Sequence, residues 1–84
     1  MKPVTIYTTA WCPYCHRAKA LLTRKGVTFE EIDVTMDAKT RAVMAEKAGQ
    51  HTVPQIWIGD THVGGSDDLH ALDRAGRLDA LLAA

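Results

Sequence analysis

Apolar and polar positions alternate along this chain in two rhythms, one of strands and one of helices. "VTIYT" (Val4 to Thr8) is β-branched and aromatic and reads as a strand. Ala18, Leu21 and Leu22 then recur at three- and four-residue spacing, one face of a helix that opens at the cysteine segment. Pro13 suits its first turn, where a missing N–H costs nothing, and Gly26 stops it after Lys25. "VTFEEIDV" (Val27 to Val34) reads as a second strand. "DAKTRAVMAEKAG" reads as a second helix, capped by Asp37 and ended by Gly49. "QIWI" and "THVG" flank Gly59-Asp60, a two-residue turn that closes an antiparallel hairpin. "GGSDDLHALDRAG" offers Ser66 as N-cap, Asp67 and Asp68 in a first turn that favours anions, and Gly76 as exit. A short last helix should pack Leu78, Leu81 and Leu82. The order βαβαββα implies an α/β protein whose mixed sheet carries helices on both faces.

At 84 residues the chain predicts a single domain over 1–84, and no repeat or linker interrupts it. Ten basic residues balance ten acidic ones, so no overall field draws the molecule to nucleic acid or to a membrane surface. No run approaches the roughly 20 apolar residues of a spanning helix. A soluble, cytoplasmic protein is expected.

Both cysteines lie in "AWCPYCHRAK", as Cys12 and Cys15. Two thiols at that spacing can hold a metal, staple a loop or perform redox chemistry. One pair is a thin staple, and a cytosolic CxxC is more often catalytic or metal-binding. Zinc would need two more ligands, and His16, His51, His62 and His70 offer no structural-site spacing. Redox chemistry has a direct basis: unpaired N–H groups at a helix start stabilise a thiolate at Cys12 and lower its pKa. Cys12 is then the exposed nucleophile. Cys15, a turn further in, is the more buried partner that resolves a mixed disulfide. Arg17 adds positive charge nearby, whereas Lys19 and His16 read as solvated side chains.

"CPYCHRAKALL", "TVPQIWI" and "GGSDDL", in this order, carry a resemblance to the bacterial dithiol glutaredoxins along essentially the whole chain. The resemblance implies a thioredoxin fold with a four-stranded mixed sheet, glutathione as reducing co-substrate, and no metal. It implies a monomer acting on glutathionylated proteins and protein disulfides, with ribonucleotide reductase among its clients. Cys12 and Cys15 would be catalytic. Cys12, Tyr14, Arg41, Thr52, Val53, Pro54, Gly65, Ser66 and Asp67 would meet glutathione. Pro54 would be cis, freeing the Val53 backbone edge for the cysteinyl part of glutathione; a trans proline starting a strand is the alternative. Gly64 to Asp68 would present N–H groups to a carboxylate and Asp67 to an ammonium, against a reading of Asp67 and Asp68 as helix-end charge. Arg41 either meets the glycine carboxylate of glutathione or is solvated.

Two positions depart from the family pattern. Thr9 stands where many relatives carry lysine, which removes one carboxylate contact. Trp11 resembles the Trp-Cys of thioredoxin and either shapes a protein-docking surface or packs on the sheet. Two rivals remain at this level: a thioredoxin-like donor served by a flavin reductase, and an iron–sulfur carrier. "GGSDD" argues against the first, and Pro13-Tyr14, in place of Gly-Phe, against the second.

Overall fold

Four strands and four helices are traced by a computed structural model, which describes residues 1–83. Strand β1 (Val4–Thr8) is central, with helix α1 (Pro13–Arg24), edge strand β2 (Glu30–Asp33) and helix α2 (Ala38–Ala48) following it. The hairpin β3 (Gln55–Ile58) and β4 (Thr61–Gly64) leads to helices α3 (Ser66–Arg74) and α4 (Leu78–Leu82). The sheet order is β2-β1-β3-β4: β1 runs parallel to β2 and antiparallel to β3, and β3 antiparallel to β4. This is the mixed sheet of a thioredoxin fold.

Strand period divides the core into two unequal halves. Val4, Ile6, Ile56 and Ile58 face α1, α3 and α4, where they bury Ala18, Leu21, Leu22, Leu69, Leu78 and Leu82. On the other face Tyr7 joins Val34 and Met44 of the α2 side, with Ile32, Val53 and Trp57 packed at the margin. Leu81 is only half-buried against the larger cluster.

The second strand is shorter than the expected Val27–Val34, because the end of α1 claims its first residues. Gly26 adopts φ +72°, its N–H bonds to the Thr23 carbonyl, and the Val27 N–H reaches back to Leu22. This left-handed helix ending turns Val27 into the core rather than into the sheet. What remains of the strand is an acidic edge, with Glu30, Glu31 and Asp33 exposed, which discourages pairing with other chains. The start of α3 also differs. Gly65, not Ser66, is its N-cap, and the Gly65 N–H is held by Asp68 Oδ2 at 2.9 Å. Ser66 is already helical, and its side chain turns toward His70.

Asp37 caps α2 as expected, accepting the Thr40 N–H at 3.0 Å, and Gly49 ends that helix at φ +73°. Lys25 ties the end of α1 to Asp73 (2.7 Å) and Asp79 (3.1 Å), which raises the Lys25 pKa. The Lys2 N–H bonds to the Leu82 carbonyl, joining the amino terminus to the last helix.

Candidate active site

The chemistry gathers where β1 runs into α1. Cys12 is the N-cap of α1, in extended conformation, with Pro13 next. Its sulfur is bonded to that of Cys15, and the Cα atoms lie 5.2 Å apart. The Cys15 N–H, one of the donors that a helix start leaves unpaired, points at Cys12 Sγ from 3.1 Å. On reduction this amide and the positive end of the helix stand ready to stabilise charge on that sulfur. Cys12 is 8% exposed and Cys15 1%, so the expected ranking holds. The expectation of an openly exposed Cys12 does not: in the disulfide form the residue is buried, with its sulfur 3.9 Å from the Val53 carbonyl oxygen.

The loop after β2 holds this turn in place. The Ala10 N–H donates to Thr35 Oγ1 at 2.7 Å, and the Thr35 N–H to Asp33 Oδ1 at 2.8 Å. The hydrogen bonds from Thr35 hold the Asp33 carboxyl below its ordinary pKa. Beneath the turn the buried Thr8 hydroxyl donates to Glu31 Oε2 at 2.7 Å, and Lys19 Nζ reaches the same oxygen at 2.9 Å. Lys19, then Thr8, lower the Glu31 pKa. Lys19 is thus an ion-pair partner rather than the solvated side chain expected, while His16 is exposed as expected. Between these anchors Trp11 takes φ +60°, with its indole 94% exposed. That excludes packing on the sheet.

Beside Cys12 opens a cleft of about 280 Å³, lined by Tyr14, Thr52, Val53, Pro54, Gly65, Ser66 and Asp67, together with Gln50 and Asp68. Seven of the expected site residues therefore share one depression, and the Val53–Pro54 bond beside it is cis. Arg41 stands apart. It lines a neighbouring hollow with His51, whose carbonyl oxygen accepts from Arg41 Nη2 at 3.1 Å.

Sequence reasoning missed what supports this cleft. Gln55, fully buried at the start of β3, donates from Nε2 to the Thr52 carbonyl (3.0 Å) and Oγ1 (3.3 Å). Its Oε1 meets His62 Nε2 at 2.7 Å, and the His62 ring lies against Trp57. The one signal was a polar residue opening an otherwise apolar strand.

The profile of the glutaredoxin family matches residues 4–63. The chain belongs to the glutaredoxin family. It is 70% identical to a glutaredoxin of Pseudomonas aeruginosa over 84 residues, the full length of both. It is 55% identical to glutaredoxin 3 of Escherichia coli K12 over 82 residues, covering 98% of this chain and 99% of that one. Among solved structures, a crystal structure of a buckwheat glutaredoxin–glutathione complex superposes with a TM-score of 0.90 at 30% identity, covering 96% of this chain and 76% of that one. As a glutaredoxin with a dithiol pair, the chain is a glutathione-dependent thiol–disulfide oxidoreductase.

Proposed function

We propose that glutathione seats in the cleft beside Cys12, with Cys12 as the attacking sulfur and Cys15 as the resolving one. One observation carries this reading: the cysteine turn, the Thr52–Pro54 loop and the start of α3 converge on a single cleft, with the Cys12 sulfur 3.9 Å from the carbonyl oxygen of Val53 in its lining. The Val53 backbone edge pairs with the cysteinyl segment, and Tyr14, Thr52 and Pro54 flank it. At α3 the N–H groups of the first turn take the γ-glutamyl carboxylate, with Gly65 and Ser66 allowing close approach. Asp67 takes the ammonium. Arg41, in the neighbouring hollow, uses one N–H on His51 and keeps others for the glycine carboxylate of a glutathione that extends past the cleft.

In the monothiol route the Cys12 thiolate attacks the glutathionyl sulfur of a protein mixed disulfide. A Cys12–glutathione bond forms, and the protein cysteine leaves as a thiolate. A second glutathione thiolate attacks that adduct, releasing oxidised glutathione and restoring Cys12. In the dithiol route Cys12 opens a protein disulfide, Cys15 displaces the reduced protein, and two glutathione molecules reduce the Cys12–Cys15 bond. Glutathionylated proteins and protein disulfides are the substrates, and a ribonucleotide reductase disulfide is a client of the second route. The chain acts as one domain over 1–84, as a monomer in the cytoplasm.

Two variants test the division of labour. Cys12→Ser is expected to lose both activities, whereas Cys15→Ser keeps removal of glutathione from proteins and loses reduction of protein disulfides. Both are assayed with glutathione, glutathione reductase and NADPH. Turnover by Cys12→Ser on either substrate would overturn the assignment.

A further inference from the structure

Trp11 is held where a bulky residue is seldom found. Positive φ is uncommon outside glycine, asparagine and aspartate, and for a large side chain it persists only when the surroundings enforce it. Here the Ala10 amide is fixed by Thr35 on one side and Cys12 begins α1 on the other, so Trp11 is turned outward, 94% exposed. The nearby apolar side chains are exposed too. Tyr14 is half-exposed with the Arg17 guanidinium 4.8 Å above its ring, and Met36 is almost fully exposed next to the Thr35 that binds Ala10.

We propose that this face binds the polypeptide half of a mixed disulfide, with Trp11 as the anchor for an apolar side chain next to the substrate cysteine. The proposal rests on the reading of the neighbouring cleft as the glutathione site. Once that cleft is filled, the departing protein sulfur and its chain must cross the surface around Cys12 that the cleft leaves free. Trp11, directly before Cys12 and outside the cleft lining, stands on that surface. Its size also fits a short segment. Trp11 and Met36, with the Tyr14 ring shared with the cleft edge, fall short of the roughly 800 Å² per partner of a stable interface, which suits a substrate that must leave after each turnover rather than a second copy of this chain. An aromatic anchor provides area at low cost in side-chain entropy.

The test uses Trp11→Asn, which tolerates positive φ without the ring, and Trp11→Phe, which restores an aromatic. Each is assayed on glutathionylated albumin and on the mixed disulfide of glutathione with 2-mercaptoethanol, which has no polypeptide. Trp11→Asn is expected to lower kcat/KM for the protein roughly tenfold and for the small disulfide less than twofold, with Trp11→Phe recovering most of the loss. Equal loss on both substrates, or no loss on the protein, would overturn the proposal. So would a concentration-dependent dimer in sedimentation that Trp11→Asn abolishes, since the face would then serve a second copy. Asp67→Asn, run alongside, reads the glutathione cleft through KM for glutathione on the small disulfide. An unchanged value there fails the cleft reading and leaves the Trp11 comparison to be judged on its own two substrates.

Discussion

Two adjacent aspartates at the start of α3 have separable tasks, and exchanging them one at a time should split binding from stability. Asp68 is committed to the fold: its Oδ2 holds the Gly65 N–H at 2.9 Å, as an acidic residue at the third helical position does in a capping box. Asp67 is exposed and lines the cleft. Asp68→Ala should therefore cost about 1 kcal/mol, the usual worth of a helix cap. In a domain of this size that lowers Tm by roughly 4–8 °C. KM for glutathione should change little. In the proposed site Asp67→Asn would remove the charge-assisted hydrogen bond to the ammonium of glutathione, worth about 1.5–3 kcal/mol. At about 1.4 kcal/mol per tenfold, glutathione use should fall roughly ten- to a hundredfold. The loss of a first-turn charge adds only about 0.3–1 kcal/mol of instability. Thermal melts and steady-state kinetics on both variants decide the matter. A large Tm loss in Asp67→Asn with an unchanged KM would refute the division and make Asp67 an ordinary helix-end charge.

Removing the buried amide beneath the cleft with Gln55→Met should raise KM for glutathione severalfold while kcat is kept, since each lost hydrogen bond is worth about 1 kcal/mol; an unchanged KM would show that Thr52 needs no such support. Stability should fall at both ends of the pH scale. Glu31, Asp33 and Asp37 have folded pKa values below their unfolded ones, so their contribution is present above about pH 4.5 and lost as pH drops through the folded values. Lys25 has a raised pKa, so its contribution is present below about pH 10.5 and lost as pH rises through the folded value. Melts from pH 2 to 12 check this, and Glu31→Gln should flatten part of the acid limb.

Local chemistry made most of the fold legible. Pro13 after Cys12 marked the start of α1, Asp37 and Gly49 marked both ends of α2, and Gly59-Asp60 marked the hairpin turn. The misreadings share a cause: hydrogen bonds that sequence period does not encode. Val27 looks like a strand residue, but its amide completes the ending of α1. Ser66 is a good capping residue, yet Asp68 reaches past it to Gly65. In the site, the residues of the three motifs came together as their order suggested. Arg41 did not join them, because its guanidinium is turned to the His51 carbonyl. Gln55 and His62 meet across the irregular β3–β4 register, a pairing that depends on where the shift at Ile56/Trp57 falls.

The lopsided core has a consequence for how the molecule yields. The redox turn is rooted in the half where α1, α3 and α4 close over the larger cluster. The Gln50–Pro54 wall of the cleft follows α2, which buries only Met44 and Ala45. Partial openings follow the thinner half of a protein, at a lower free energy than global unfolding. One wall of the cleft proposed for glutathione can therefore breathe while the wall bearing the cysteines stays shut, so that release of spent glutathione would need only the thinner half to yield.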